Sequence, residues 1–153
     1  MTIMSLPPVR LFVLNGANTN LYGLDPTGPY GALTLDDIAD DCRARAQVLG
    51  ATVDFRQSNH EGVLVDWIQE ARMAADGIVI NAGSLSYTSI ALLDALSAVK
   101  RPTFQVHVSN VFTREPFRHH APLAAAVTGC IIGLGPRGYG VAVEALIAHI
   151  RQT

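Results

Sequence analysis

A strong charge of either sign is missing from this chain: 11 basic and 13 acidic residues leave a formal net charge of −2 and a pI near 6.2. Without a basic field, neither nucleic acid nor an anionic membrane surface is an expected partner. A small anionic substrate has to be met by local groups instead. No run reaches the roughly 18 apolar residues of a membrane span. Met1 to Pro8 lacks a basic segment followed by an apolar core, so no secretory signal is expected there and the cytoplasm is the expected compartment. Cysteine is scarce. Cys42 falls in a helical pattern and Cys130 in an apolar, strand-like run, where small buried thiols are ordinary. No low-complexity tract interrupts the chain. What remains is a globular composition, 49% hydrophobic and 16% charged, at a length of 153 residues that suits one domain over 1–153.

Apolar strand-like runs alternate with helical patterns. Val9 to Leu14 reads as a strand that ends at a polar, glycine-containing segment. Thr34 followed by Asp37 imitates a capping box, and Leu35, Ile38, Cys42, Ala46 and Leu49 form one helical stripe before a stop at Gly50. Ala51 to Gln57 is a second strand. Glu61 to Met73 is a helix whose apolar face is Val63, Leu64, Trp67, Ile68 and Ala71. The pattern then repeats: strand from Gly77 to Ile80, helix from Thr88 to Val99, strand from Thr103 to Val108, strand from Gly129 to Gly133, helix from Val141 to Ile150. Continuous apolar strands separated by helices predict a parallel sheet covered on both faces. Right-handed crossovers make it a five-stranded, doubly wound, flavodoxin-like α/β sandwich. In such sheets ligands sit beyond the carboxyl ends of the strands.

The segments following those ends are unusually polar. The first, Asn15 to Gly31, spans 17 residues and holds Asn15, Asn18, Asn20, Tyr22 and Tyr30; connections this long without structure of their own are commonly lids or binding loops. The fourth holds His107, Ser109, Asn110, Arg114, Glu115, Arg118, His119 and His120. A histidine at the end of an apolar strand is most often satisfied structure, but Ser109, Asn110 and two arginines beyond it point to an oxyanion or carboxylate site. Gly133 to Gly138 matches G-x-G-x-x-G, yet no acidic residue at the end of a later strand completes a dinucleotide fingerprint, so it reads as a tight strand-to-helix turn. Adjacent His119 and His120 cannot face one ion from a regular helix, and no other spacing completes a metal site.

Taken together, these segments resemble the type II 3-dehydroquinate dehydratases. The resemblance lies in LNGANTNLYG from Leu14 to Gly23 with Tyr30-Gly31, and in RQSNHEG from Arg56 to Gly62 with Asp66 to Ile68. It continues in NAGSLSYTS from Asn81 to Ser89 with Asp94, in VHVSN from Val106 to Asn110 with REPFR from Arg114 to Arg118, and in Gly133 to Tyr139. The motifs run from about Leu11 to Tyr139, in order and with family spacing. The resemblance implies a hydro-lyase without metal or cofactor, eliminating water in the trans sense from 3-dehydroquinate to give 3-dehydroshikimate, in the shikimate pathway of aromatic amino acid biosynthesis or in quinate catabolism. Tyr30 is then the base that removes the proton next to the ketone, Asn18 the holder of a water that stabilises the enolate, and His107 the acid for the departing hydroxyl, with Asn110 nearby. Ser109 and the backbone around it bind the carboxylate. Asn81 and Arg118 hold ring hydroxyls, with Gly83, Tyr87 and Arg114 in the same substrate-binding set, and Asp94 reaches a neighbouring subunit's site. The resemblance also implies a homo-oligomer, a dodecamer built as a tetramer of trimers.

Five positions depart from the family pattern, three of them by a change of charge or ring. Asp25 stands where the lid carries an arginine, Tyr87 replaces a histidine of the third motif, and Gln105 replaces a glutamate two residues before His107. Ala17 and Ala121 replace a proline and a serine. An anion beside a tyrosine disfavours its phenolate and a cation favours it, so the surroundings of Asp25 and Arg114 decide much. Glutamine can orient His107 by accepting a hydrogen bond but brings no negative charge. Three readings follow: the dehydratase; a divergent paralogue doing enolate chemistry on another cyclic hydroxy-carboxylate; and a non-catalytic homologue that binds such a ligand. Asp25 turned to solvent with Arg114 against Tyr30 is the arrangement that favours the dehydratase.

Overall fold

The computed structural model describes residues 5–153; the first four residues of the Met1–Pro8 segment lie outside them. All five strands form one parallel sheet in the order β2-β1-β3-β4-β5, with β1 Val9–Asn15, β2 Ala51–Gln57, β3 Gly77–Asn81, β4 Thr103–His107 and β5 Gly129–Ile132. This is the flavodoxin-like doubly wound arrangement expected from the alternation. Its cause is visible in β1, where side chains alternate between two cores. Leu11 and Val13 join Ile38, Cys42, Tyr139 and Leu146 on the side covered by α1 (Leu35–Val48) and α5 (Arg137–Gln152). Phe12 and Leu14 join Leu64, Ile68, Leu92 and Leu96 on the side covered by α2 (Glu61–Ala74) and α4 (Ile90–Val99). Among the described residues no helix is long and apolar enough to cross a membrane.

The capping box at the start of α1 forms as expected: the Thr34 hydroxyl accepts from the Asp37 amide at 3.2 Å, and the Asp37 carboxylate accepts from the Thr34 amide at 2.9 Å. Hydrogen bonding to the carboxylate by Thr34, first from its amide and then from its hydroxyl, holds the Asp37 carboxyl below the usual carboxylate range. Thr34→Ala therefore lowers stability by about 1 kcal/mol, to be read from urea unfolding; no change in midpoint would mean that α1 is held by packing alone.

Three expectations need correction. The helix from Thr88 to Val99 is two helices, α3 (Leu85–Thr88) and α4, because Ser89 is extended at ψ 98° and its hydroxyl caps α4 by accepting from the Leu92 amide at 3.0 Å. The last helix begins at Arg137 rather than Val141, since Pro136 already has helical dihedrals and Gly138 packs beneath Val106 and Ile131 in the first turn. Cys130 is exposed, not buried, on β5, the edge strand of the sheet.

The register fixes where chemistry can occur. Asn15 pairs with both Gln57 and Asn81, so three polar side chains end three adjacent strands at one level. The strand order reverses its direction of winding between β1 and β3, and there the segments after the two parallel strands part to leave a crevice. Those segments nonetheless touch at their bases. A Cβ on Gly16 would lie 2.2 Å from the Ala82 carbonyl oxygen, and one on Gly83, at φ +61°, would lie 2.6 Å from that of Ala17. Only glycine permits both the approach and the left-handed dihedral.

Candidate active site

Beyond the carboxyl ends of β1, β3 and β4 lies a cleft of about 150 Å³. Nine of the eleven residues singled out from the sequence line it: Asn18, Tyr30, Asn81, Gly83, Tyr87, His107, Ser109, Arg114 and Arg118. The other two do not. Asn110 caps the short 3-10 turn Val111–Thr113, its side-chain oxygen accepting from the Phe112 amide at 3.2 Å. Asp94 is exposed on α4, away from the cleft.

Tyr30 is the centre of the cleft's electrostatics. One guanidinium nitrogen of Arg114 donates to the Tyr30 hydroxyl and to the Ser109 hydroxyl, both at 3.1 Å, and the guanidinium carbon sits 5.6 Å from the Tyr30 ring centre. A cation hydrogen-bonded to a phenol oxygen stabilises the phenolate that forms when the proton leaves. Asp25 does not oppose it. Its carboxylate accepts from the Thr27 amide at 3.1 Å and the Thr27 hydroxyl at 2.8 Å, an Asx turn at the exposed edge of the loop and outside the cleft.

His107, 8% exposed, ends β4 with its ring facing the cleft, its centre 6.1 Å from that of Tyr87. Burial pushes its pKa below the ordinary histidine value. The expectation that Gln105 orients it is corrected: the Gln105 amide, wholly buried, donates to the Ser86 hydroxyl at 3.2 Å and accepts from the Cys130 thiol at 3.7 Å, with no bond to His107. The imidazole thus has no carboxylate beside it. The unfolded chain binds a proton more readily, so the stability contributed by neutral His107 is present above about pH 6.5 and lost as pH falls through the lower folded value. An NMR titration is expected to place His107 below the ordinary histidine value of about 6.5, and Gln105→Glu to move it upward. A His107 value at or above the ordinary one would contradict the burial effect.

Arg118 donates to Glu115 at 2.7 Å and lies over the rings of Phe117 and Tyr87, at 4.9 and 5.8 Å from their centres. Tyr87 meets Phe117 edge-on at 90°. On this side the cleft is lined by Tyr87 with the Arg118 guanidinium over its ring, while exposed Phe117 lies outside the lining. The backbone at the end of β4 is fixed by the glycine turn after β5, where the Gly133 and Gly135 amides donate to the His107 and Val108 carbonyls at 3.0 and 2.9 Å. The G-x-G-x-x-G match serves as the strand-to-helix turn expected of it.

The family model for class II dehydroquinases matches residues 9–147. The chain belongs to that family. It is 53% identical to a 3-dehydroquinate dehydratase of a Chelativorans species over 141 residues, 92% of this chain and 97% of the relative. It is 49% identical to a catabolic 3-dehydroquinase of Aspergillus clavatus, over 93% of this chain and 95% of that one. The crystal structure of a type II dehydroquinase from Propionibacterium acnes superposes with a TM-score of 0.88 at 38% identity, covering 94% of this chain and 99% of the other.

Two residues of this dehydroquinase site were not singled out from its sequence. Tyr22 lines the cleft and stacks on Tyr30 with ring centres 5.0 Å apart. Tyr139 lies beneath, wholly buried, donating to Asn15 at 2.7 Å. Tyr22 stood in the polar first segment and Tyr139 at the end of the fifth motif, before the helix expected from Val141; those placements were the signals available.

Proposed function

We propose that this chain is a 3-dehydroquinate dehydratase, a hydro-lyase that converts 3-dehydroquinate to 3-dehydroshikimate through an enolate. The observation that carries the reading is the Arg114–Tyr30 contact at 3.1 Å with Asp25 turned to solvent. Tyr30 takes the proton from the carbon next to the ketone, and the electron pair moves onto the carbonyl oxygen as the enolate. A water held by Asn18 donates to that oxygen. The enolate then reforms the ketone, the double bond closes, and the hydroxyl leaves with a proton from His107 as water. Ser109 and the adjacent amides hold the carboxylate. That bound anion brings the negative charge which neutral Gln105 lacks and so favours imidazolium at His107.

Arg118, with Gly83 and Tyr87, shapes the rest of the pocket. Asp94, exposed on α4 outside its own cleft, is available to a neighbouring subunit. Exposed Leu24, Phe112 and Phe117 near the loops of the cleft support a homo-oligomer, for which trimers assembled into a dodecamer are the family arrangement. One domain over 1–153, no resident cofactor and a cytoplasmic setting complete the reading, in the shikimate pathway or in quinate breakdown. Tyr87 in the cleft lining favours one second reading, the same enolate chemistry on a differently substituted cyclic hydroxy-carboxylate.

The deciding experiment is steady-state turnover of 3-dehydroquinate by the purified protein, followed by absorbance of the conjugated enone. Turnover of about 1–10³ per second is expected. A folded protein with no turnover that binds related acids would transfer the assignment to the second reading.

A further inference from the structure

Asn18 is one of two described residues other than glycine with a left-handed backbone, at φ +69°. Asparagine enters that region more readily than most residues, yet still at a cost in free energy, so the surroundings must hold it there. The loop itself does part of this. The Thr19 amide and hydroxyl both donate to the Gly16 carbonyl, at 3.3 and 2.8 Å, and the Leu21 amide donates to the Asn18 carbonyl at 3.0 Å. These bonds close the turn on either side of Asn18. Its own amide is met from outside the loop.

The partner belongs to RQSNHEG, Arg56 to Gly62, a motif to which the reaction steps give no task. The Asn59 side-chain oxygen accepts from the Asn18 amide at 2.9 Å and from the Gln57 side-chain nitrogen at 3.0 Å. Main-chain groups fix both orientations. Asn59 must turn its oxygen toward a backbone N–H, and Gln57 must turn its nitrogen toward the Gly16 carbonyl, 3.3 Å away. The same Gln57 nitrogen reaches the Asn20 side-chain oxygen at 3.4 Å. Asn59 is itself well placed by a short connection. Gln57 ends β2 in register with Asn15, the Ser58 amide donates to the Asn15 carbonyl at 3.0 Å, and the Ser58 hydroxyl accepts from the His60 amide at 3.0 Å just before α2. Asn18 lines the cleft and Asn59 stands behind it, outside the lining.

We propose that Asn59, steadied by Gln57, is a positioning residue that holds Asn18 in the left-handed conformation its task requires. The inference rests on the dehydratase reading, in which Asn18 holds the water that donates to the enolate oxygen, and it assigns the second motif to that step. A donor to a developing oxyanion is effective only when it is placed beforehand, and a water held by one side chain is placed no better than that side chain. Without the Asn59 oxygen, the Asn18 N–H loses its fixed partner and the residue relaxes toward negative φ, which swings its side chain away. The enolate forms only after the proton leaves, so the loss falls on kcat rather than on substrate binding.

Asn59 is exposed, so its substitution leaves the core intact. Asn59→Ala should lower kcat for 3-dehydroquinate roughly 10–100-fold with KM within about threefold. Asn59→Asp keeps the acceptor and should restore kcat to within about threefold of wild type. In an Asn18→Ala background, Asn59→Ala should cost no more than about a further twofold, because the group it positions is already gone. A raised KM at unchanged kcat, no recovery in Asn59→Asp, or the full further loss in the Asn18→Ala background overturns the proposal. Amide hydrogen exchange at Asn18, followed by NMR, reads the clamp without turnover. It should be about tenfold faster in Asn59→Ala than in wild type or Asn59→Asp, the range of one hydrogen bond. Equal exchange in all three overturns the clamp. Wild-type protein that shows the expected exchange pattern without turning over 3-dehydroquinate refutes the dehydratase reading while the clamp stands; one that shows neither overturns both.

Discussion

Replacing Tyr30 by phenylalanine lowers turnover of 3-dehydroquinate by about 10²–10⁴-fold while the affinity for quinate changes less than about threefold. The hydroxyl is the only group removed, and the loss of a general base falls in that range. The ring stays against Tyr22, at 5.0 Å between centres, so the loop keeps its anchor. The affinity is preserved because Ser109 and Arg118, the proposed contacts to the ground state, are untouched. Single-turnover kinetics with quinate displacement checks both numbers. Unchanged turnover would rule out Tyr30 as the base, and the proposed mechanism with it.

Arg114→Ala is expected to cost about 10²–10³ in kcat, the effect of losing one charged donor from a developing anion. The physical reason is that Arg114 is the cation bonded to the Tyr30 oxygen, and the side chain at position 25 supplies none. Lysine at 114 should recover part of the rate, since it restores charge without the fixed planar guanidinium whose one nitrogen bonds both Tyr30 and Ser109. Asp25→Asn serves as the contrast. Its carboxylate is engaged by Thr27 at the exposed loop edge, so turnover should remain within about twofold. A tenfold gain in Asp25→Asn with little loss in Arg114→Ala would reverse the assignment and make the aspartate, not the arginine, the group that governs Tyr30.

These expectations show how unevenly the site was written into the sequence. The segment from Leu14 to Tyr30 announces a polar loop after a strand, and the order of the five motifs places that loop beside Asn81, His107 and Arg118. The capping box at Thr34, the stop at Gly50 and the stripes of α1 and α2 are likewise legible, because each depends on neighbours within about one or two helical turns. Ser89 shows the limit of that kind of reading. Its place in a helical run predicted continuity, yet its hydroxyl caps α4 and also meets Glu61, 28 residues away on α2, so the helix breaks there.

The sequence by itself determined the class of fold, the number of strands, the end of the sheet where chemistry occurs and most of the residues gathered there. These follow from local propensity and from the alternation of apolar and polar positions. Only the tertiary structure decided which charge faces the base. Arg114 reaches Tyr30 across 84 residues of chain, while Asp25, five residues from Tyr30, turns outward into its own Asx turn. It also decided that Gln105 bonds Ser86 rather than His107, and that Asn59 accepts from the amide of Asn18, 41 residues away. The physical reason is common to all three. A side chain has only a few donors and acceptors, and which partners use them depends on the packing of distant elements, which no local pattern encodes.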